Sequence, residues 1–389
     1  MRPTSLLNCL PSIRVDFVRG ENCSLWDEQG SRYLDLESGS WSAVLGHNHP
    51  RINAALRAQA DRIMHLNVRY PNHLAEEAAT RVLAHAGLEG GKCVFLSSGS
   101  EAVEFGVQTV RRITGKPLLL SFANSYLAAF GSAGQKRPDE WHLFDGGDLG
   151  EAEMREALDR IPFERIGGFV LETGGGSPDF LRFPPVSVVN EIARRVKASG
   201  GFLVLNEITT GLGRTGEWFG FHHYGIRPDI IALGKGLGNG YPVSAVALEA
   251  GIADRFEASG TKYAQSHQNN PLGCAVALEV MAELEEGGWI ARGRHLGAQL
   301  LERLQRLPDP FGRIKAVRGR GMLLALEFDP NRGLTGDNAH RFLWERKVIT
   351  SCYPAGHTAG TGLRMDPALT VPDSDLDFLL ACLEELLAR

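Results

Sequence analysis

Two short apolar runs constrain this chain more than any other feature. They span 202–205 and 229–233, within the stretch GFLVLNEITTGLGRTGEWFGFHHYGIRPDIIALGKGLGNGYP at 201–242. Neither run alternates polar with apolar residues, so each predicts a strand buried on both faces, as in a parallel sheet covered by helices. Each leads to a side chain capable of chemistry: Asn206 after the first, Lys235 just after the second. In open α/β sheets ligands gather beyond the carboxyl ends of strands. Segments 94–96, 117–123 and 166–172 read as further strands, and helical spacing marks 74–87, 101–112, 150–160 and 185–199. This alternation, from about residue 90 to 250, predicts a mostly parallel sheet with helices on both faces.

The flanks read differently. Residues 12–37 suit a small β-meander with turn chemistry at 27–30, 41–49 is a loop, and 50–66 has helical spacing with Pro50 in its first turn. Past residue 270 come helices over 271–306, a strand pair around 317–328 and a helix at 338–346. Strands at 348–349 and 362–366 and a terminal helix at 373–388 follow. This is an α+β unit, with a domain boundary expected between 255 and 290.

The 389 residues carry a net charge of −5, which leaves no electrostatic footprint for nucleic acid or an acidic membrane. No apolar run approaches the length of a membrane span, and the N-terminus lacks the apolar core of a secretion signal. Six scattered cysteines without paired spacing fit reduced thiols in the cytoplasm. His47 and His49 flank a Gly/Pro turn with no third ligand type nearby, so they predict turn and cap roles rather than a metal site.

GLGRTG at 211–216 matches a dinucleotide fingerprint but fails its context. NEITT separates it from the preceding strand, and the following GEWFGFHHYG is too rich in glycine and aromatics for a crossover helix. A better constellation exists. Ser97, Ser98, Gly99 and Ser100 form a tight turn at a helix N-terminus, where free N–H groups and the positive dipole end suit a phosphate. Tyr126 follows a buried strand, and Lys235, between an apolar run and Gly236, can lose its proton and approach a carbonyl carbon. A phosphate turn, an aromatic and such a lysine make a coherent pyridoxal 5'-phosphate site.

On these residues the chain resembles the class III aminotransferases, fold-type-I pyridoxal phosphate enzymes, over nearly its full length. The matching stretches are GHNHPR (46–51), SSGSEAVE (97–104), 206–242, NNPLGCAVAL (269–278), VRGRGMLLALE (317–327) and LRMDPAL (363–369). The resemblance implies an α/β fold in which a mostly parallel seven-stranded sheet forms a large domain over 46–270. The chain ends, 1–45 and 271–389, would build a smaller α+β domain. It implies that Lys235 is the Schiff-base lysine, that Gly99 and Ser100 hold the phosphate, and that Tyr126 and Ile208 pack the two ring faces. Thr209 stands where the family commonly has a glutamine contacting the ring hydroxyl. Ser266 stands where a threonine usually reaches the neighbouring subunit's phosphate, which implies a homodimer with shared active sites. Arg364 matches an arginine used near the substrate carboxylate, and Trp41 and Tyr70 are candidates for lining the pocket.

Some positions depart from the family. Asn206 replaces the aspartate that keeps the cofactor's ring nitrogen protonated. Leu127 and Ala128 replace a usual His-Gly, and Thr173 to Ser177 replace a segment that ends in a glutamate able to pair the arginine at 364. Amino transfer between an amine or amino acid and a keto acid or aldehyde is the expected reaction. Because of Asn206, an aminomutase, racemase or decarboxylase reaction, or a weakened binding homologue, stays open.

Overall fold

The structure is a computed structural model that describes residues 5, 7, 9, 13, 15–145, 151–174, 181–352 and 362–389. Three antiparallel strands open it: β1 (Phe17–Glu21), β2 (Ser24–Asp27) and β3 (Arg32–Asp35). The central sheet is built from β4 (Lys92–Leu96), β5 (Leu118–Phe122), β6 (Trp141–Phe144), β7 (Ile166–Glu172), β8 (Phe202–Asn206), β9 (Ile230–Leu233) and β10 (Ser244–Leu248). Its order is β4-β10-β9-β8-β7-β5-β6. The apolar runs behave as their lack of alternation predicts: every residue of β5, β7 and β9 is buried.

Strand β10 is the exception to parallel pairing, running antiparallel to both β4 and β9, and neither it nor β6 stands out in the sequence. The connection from β9 is a 3-10 turn, Lys235–Gly238, and a few more residues. That is too short to return the chain for a parallel pairing, which needs a crossover of a dozen or more residues.

The remaining strands are β11 (Ile314–Arg320), β12 (Leu323–Phe328), β13 (Val348–Ile349), β14 (Ser351–Cys352) and β15 (Gly362–Met365). They form a sheet of order β11-β12-β15-β14, while β13 pairs parallel with β3 and so joins the two ends of the chain in one small sheet. The helix expected over 50–66 stops at Ala60. The buried Gln59 donates its amide to the Ile63 carbonyl and turns the chain back. The helical stretch after 270 is two helices, Pro271–Glu286 and Trp289–Gln305, parted at Gly288, whose left-handed φ of 66° costs glycine little.

Candidate active site

The candidate residues collect beyond the carboxyl ends of β7, β8 and β9. Register sets Glu172 beside Asn206 and Asn206 beside Ala232. Asn206 is only 4% exposed. Its Oδ1 accepts the Ile208 N–H at 3.2 Å, and its Nδ2 donates to the Tyr126 carbonyl at 3.3 Å. The Tyr126 N–H in turn donates to Glu172 Oε2 at 3.1 Å. The Tyr126 backbone therefore bridges the two strand ends, while its side chain stays half exposed.

Lys235 has a left-handed backbone, φ 43°. A non-glycine residue held there stores about 1–3 kcal/mol, a cost typical of functional sites. Its Nζ donates to Thr209 Oγ1 at 3.1 Å and lies 4.0 Å from the centroid of the Trp41 ring. Burial pushes the amine down to about 8, and the charges of Arg364 and Arg214 act in the same direction, against Glu172 and Asp366.

A second cation shares the same ring. The Arg364 Cζ lies 3.8 Å from the Trp41 centroid, and its Nε donates to Asp366 Oδ2 at 2.9 Å. Arg364 sits on β15, and Asp366 follows two residues later, as the period of an extended strand requires for a shared face. Burial pushes the Asp366 carboxyl up to about 6 against the pull of Arg364 and Arg214. Arg214 is itself almost fully buried and donates to the carbonyls of Asp366, Pro367 and Trp41. Trp41, at φ 68°, is thereby tied to the 366–367 segment.

The turn at 97–100 is held by two side-chain bonds across the helix start. Ser98 Oγ accepts the Glu101 N–H at 3.3 Å, and Glu101 Oε2 accepts the Ser97 N–H at 3.1 Å. The N–H groups of Gly99 and Ser100, in the first turn of helix Gly99–Thr114, have no intrahelical acceptor. Ser100 Oγ accepts the Ala129 N–H at 2.9 Å, which leaves its hydroxyl hydrogen to donate. A Cβ on Gly99 would stand 2.9 Å from Ile208 Cγ2, and one on Gly234 3.1 Å from Ile208 Cδ1. Ile208 thus fills the space between the helix N-terminus and the Lys235 turn. An anion cradle, a weakly basic amine and an apolar wall form one site. The donor set suits a group carrying a phosphate, a flat ring and a carbonyl.

Not every candidate joins it. Ser266 is exposed in the connection that leads to Pro271, and Tyr70 is exposed beside a separate cavity of about 340 Å³ lined also by Gln268 and Asn269. Of the departing segment 173–177, only Thr173 and Gly174 are described, so Ser177 lies outside the described residues. His47 bonds Asp35 at 2.7 Å and His49 lies 3.7 Å from Glu283. Sequence reasoning missed Arg214 and Asp366 as supports. The strand period could have flagged Asp366. Arg214 carried no signal, since nothing local announces a buried arginine.

The family model for class-III aminotransferases matches residues 10–130 and 145–387. The chain is 31% identical to acetylornithine aminotransferase of Aquifex aeolicus, with 99% of this chain and all of that one covered. It is 28% identical to leucine/methionine racemase of Thermococcus litoralis, covering 95% of this chain and 90% of the racemase. Among solved structures it is similar to an ornithine aminotransferase of Toxoplasma gondii with partial occupancy of PLP at its active site. That likeness has a TM-score of 0.84 and 26% identity, covering 98% of this chain and 92% of that one.

Proposed function

The chain belongs to the class III aminotransferase family and is a pyridoxal phosphate-dependent aminotransferase, and from that premise we propose how its own residues divide the work. When bound, pyridoxal phosphate supplies a carbonyl for amine exchange and a ring that withdraws electrons from the substrate carbon. Lys235 would hold that carbonyl between turnovers and would move the proton at the substrate carbon. Thr209 orients its Nζ. The N–H groups of Gly99 and Ser100, with the Ser100 hydroxyl, would hold the phosphate. Tyr126 and Ile208 would cover the two ring faces, and Asn206 would face the ring nitrogen.

Trp41 and Arg364 bound the substrate side, and Arg364 takes the carboxylate of an amino acid donor or keto acid acceptor. The observation that carries this reading is the Lys235 amine, desolvated and held between Thr209 and Trp41 within reach of Arg364's charge. Borohydride treatment of the purified protein should fix the cofactor covalently on Lys235, located by peptide mass. Fixation elsewhere, or none after reconstitution, overturns the assignment.

A racemase, aminomutase or decarboxylase reaction is the second reading, favoured by Asn206, with similarity to a racemase as support. Incubation with single enantiomers, with and without an added keto acid, distinguishes the two: inversion without keto acid supports the second reading, while turnover of the donor to its keto acid only when an acceptor is present to take the amino group supports the first.

A homodimer with Ser266 reaching the partner's phosphate belongs to the same proposal. Supporting it is an open cavity of about 520 Å³ beside the turn at 97–100, where Phe105, Phe130, Phe256 and Tyr263 stand among polar residues such as Glu101 and Arg112. Division into a large domain over 46–270 and a small one from 1–45 and 271–389 is supported by the β3–β13 pairing. A cytoplasmic setting is supported by six scattered cysteines without paired spacing in the sequence. Among the described residues no helix is long and apolar enough to cross a membrane.

A further inference from the structure

We propose that Asn206 offers the cofactor's ring nitrogen a hydrogen-bond donor, so that this nitrogen stays unprotonated in the resting enzyme. The inference rests on the reading that Asn206 faces the ring nitrogen, and it goes further by fixing what that side chain presents.

Replacing aspartate by asparagine alone decides nothing, because an amide has both an acceptor and a donor end. The surroundings decide it. Oδ1 accepts the Ile208 N–H at 3.2 Å, and Nδ2 donates to the Tyr126 carbonyl at 3.3 Å. Reversing the amide would set oxygen against the Tyr126 carbonyl oxygen and N–H against the Ile208 N–H. Both backbone contacts would become repulsive, each group losing a buried partner at about 1–3 kcal/mol. The orientation is therefore imposed by two backbone groups of fixed polarity. Nδ2 carries two hydrogens. One goes to Tyr126, and the other has no partner among the described residues.

A pyridinium N–H facing that second hydrogen would meet donor with donor, whereas an unprotonated nitrogen lone pair accepts it. The neighbouring charges are of both signs, with Glu172 acting on Lys136 and Lys235. Glu172, one strand away, already accepts the Tyr126 N–H through Oε2. Lys136 places its Nζ on the carbonyls of Ser125 and Ala123, at 2.6 and 3.4 Å, and adds positive charge to the same region. Lys235 lies at the next strand end. The ring would withdraw electrons less strongly than a pyridinium, so more of the burden of removing the substrate proton falls on Lys235.

The test is nitrogen-15 NMR of the holoenzyme reconstituted with pyridoxal phosphate labelled at the ring nitrogen, with borohydride trapping run in parallel. The wild-type resonance should fall in the neutral-pyridine range between pH 6 and 9, and Asn206→Asp should move it to the pyridinium range. A pyridinium signal in the wild type, or no movement in Asn206→Asp, overturns the donor assignment while leaving Lys235 as the attachment site. Cofactor trapped at a residue other than Lys235 overturns the underlying reading and this inference together.

Discussion

Lys235 and Trp41 meet as cation and ring, with Nζ 4.0 Å from the indole centroid. The same ring also receives the Arg364 guanidinium, at 3.8 Å. A partly desolvated contact of this kind is worth about 0.5–2 kcal/mol. Trp41→Leu should therefore slow the half-reaction with an amino acid donor about tenfold, while borohydride still traps cofactor on Lys235. Single-turnover absorbance measures it. An unchanged rate would mean that Trp41 is wall material only.

The Lys235 amine gives a pH prediction with a definite sign. Its value in the fold, about 8, lies below the ordinary 10.5, so the folded protein binds fewer protons than the unfolded chain between those two values. In the cofactor-free protein this group's contribution to stability rises with pH across that window. Capture of added pyridoxal phosphate should likewise speed up with pH and level off above about 8. Arg364→Gln removes a charge that disfavours the ammonium form, so the midpoint should move up. A midpoint that stays put would remove Arg364 from the electrostatics of the site.

Asp366 is the buried countercharge between Arg364 and Arg214. Removing one member of a buried ionic group costs about 3–5 kcal/mol, because the remaining charge has left water without full compensation. Asp366→Asn should lower the urea midpoint by a corresponding amount. A loss below about 1 kcal/mol would place the pair in the range of exposed salt bridges.

Gly99 has a steric reason to remain glycine. An added Cβ meets Ile208 Cγ2 at 2.9 Å, so either Ile208 or the turn must shift. Overpacking of this kind costs about 1–3 kcal/mol. Gly99→Ala should retain the fold but lose cofactor on dialysis faster than wild type. Equal retention would show that the turn tolerates the shift.

Much of this architecture was legible in the chain because it depends on short-range pattern. The unbroken apolar runs before Asn206 and Lys235 predict buried strands, and both form. The Ser-Gly-Ser turn at 98–100 carries its own capping residues, so the helix start could be read. Strand β10 was less legible, because its direction follows from the length of the connection before it. The Trp41, Arg214, Arg364 and Asp366 group was not legible as a unit. Its members come from three distant regions of the chain, and no local periodicity ties them together.

By itself, then, the sequence determined which segments are buried and which side chains end them, since apolar periodicity and capping act over a few neighbouring residues. It also determined that position 206 carries an amide. Only the tertiary structure decided which end of that amide turns outward, because the deciding partners are the backbone of Ile208 and the carbonyl of Tyr126, eighty residues earlier. The weakened basicity of Lys235 was decided the same way. Desolvation and charge are sums over everything packed around a group, and folding alone brings those surroundings together.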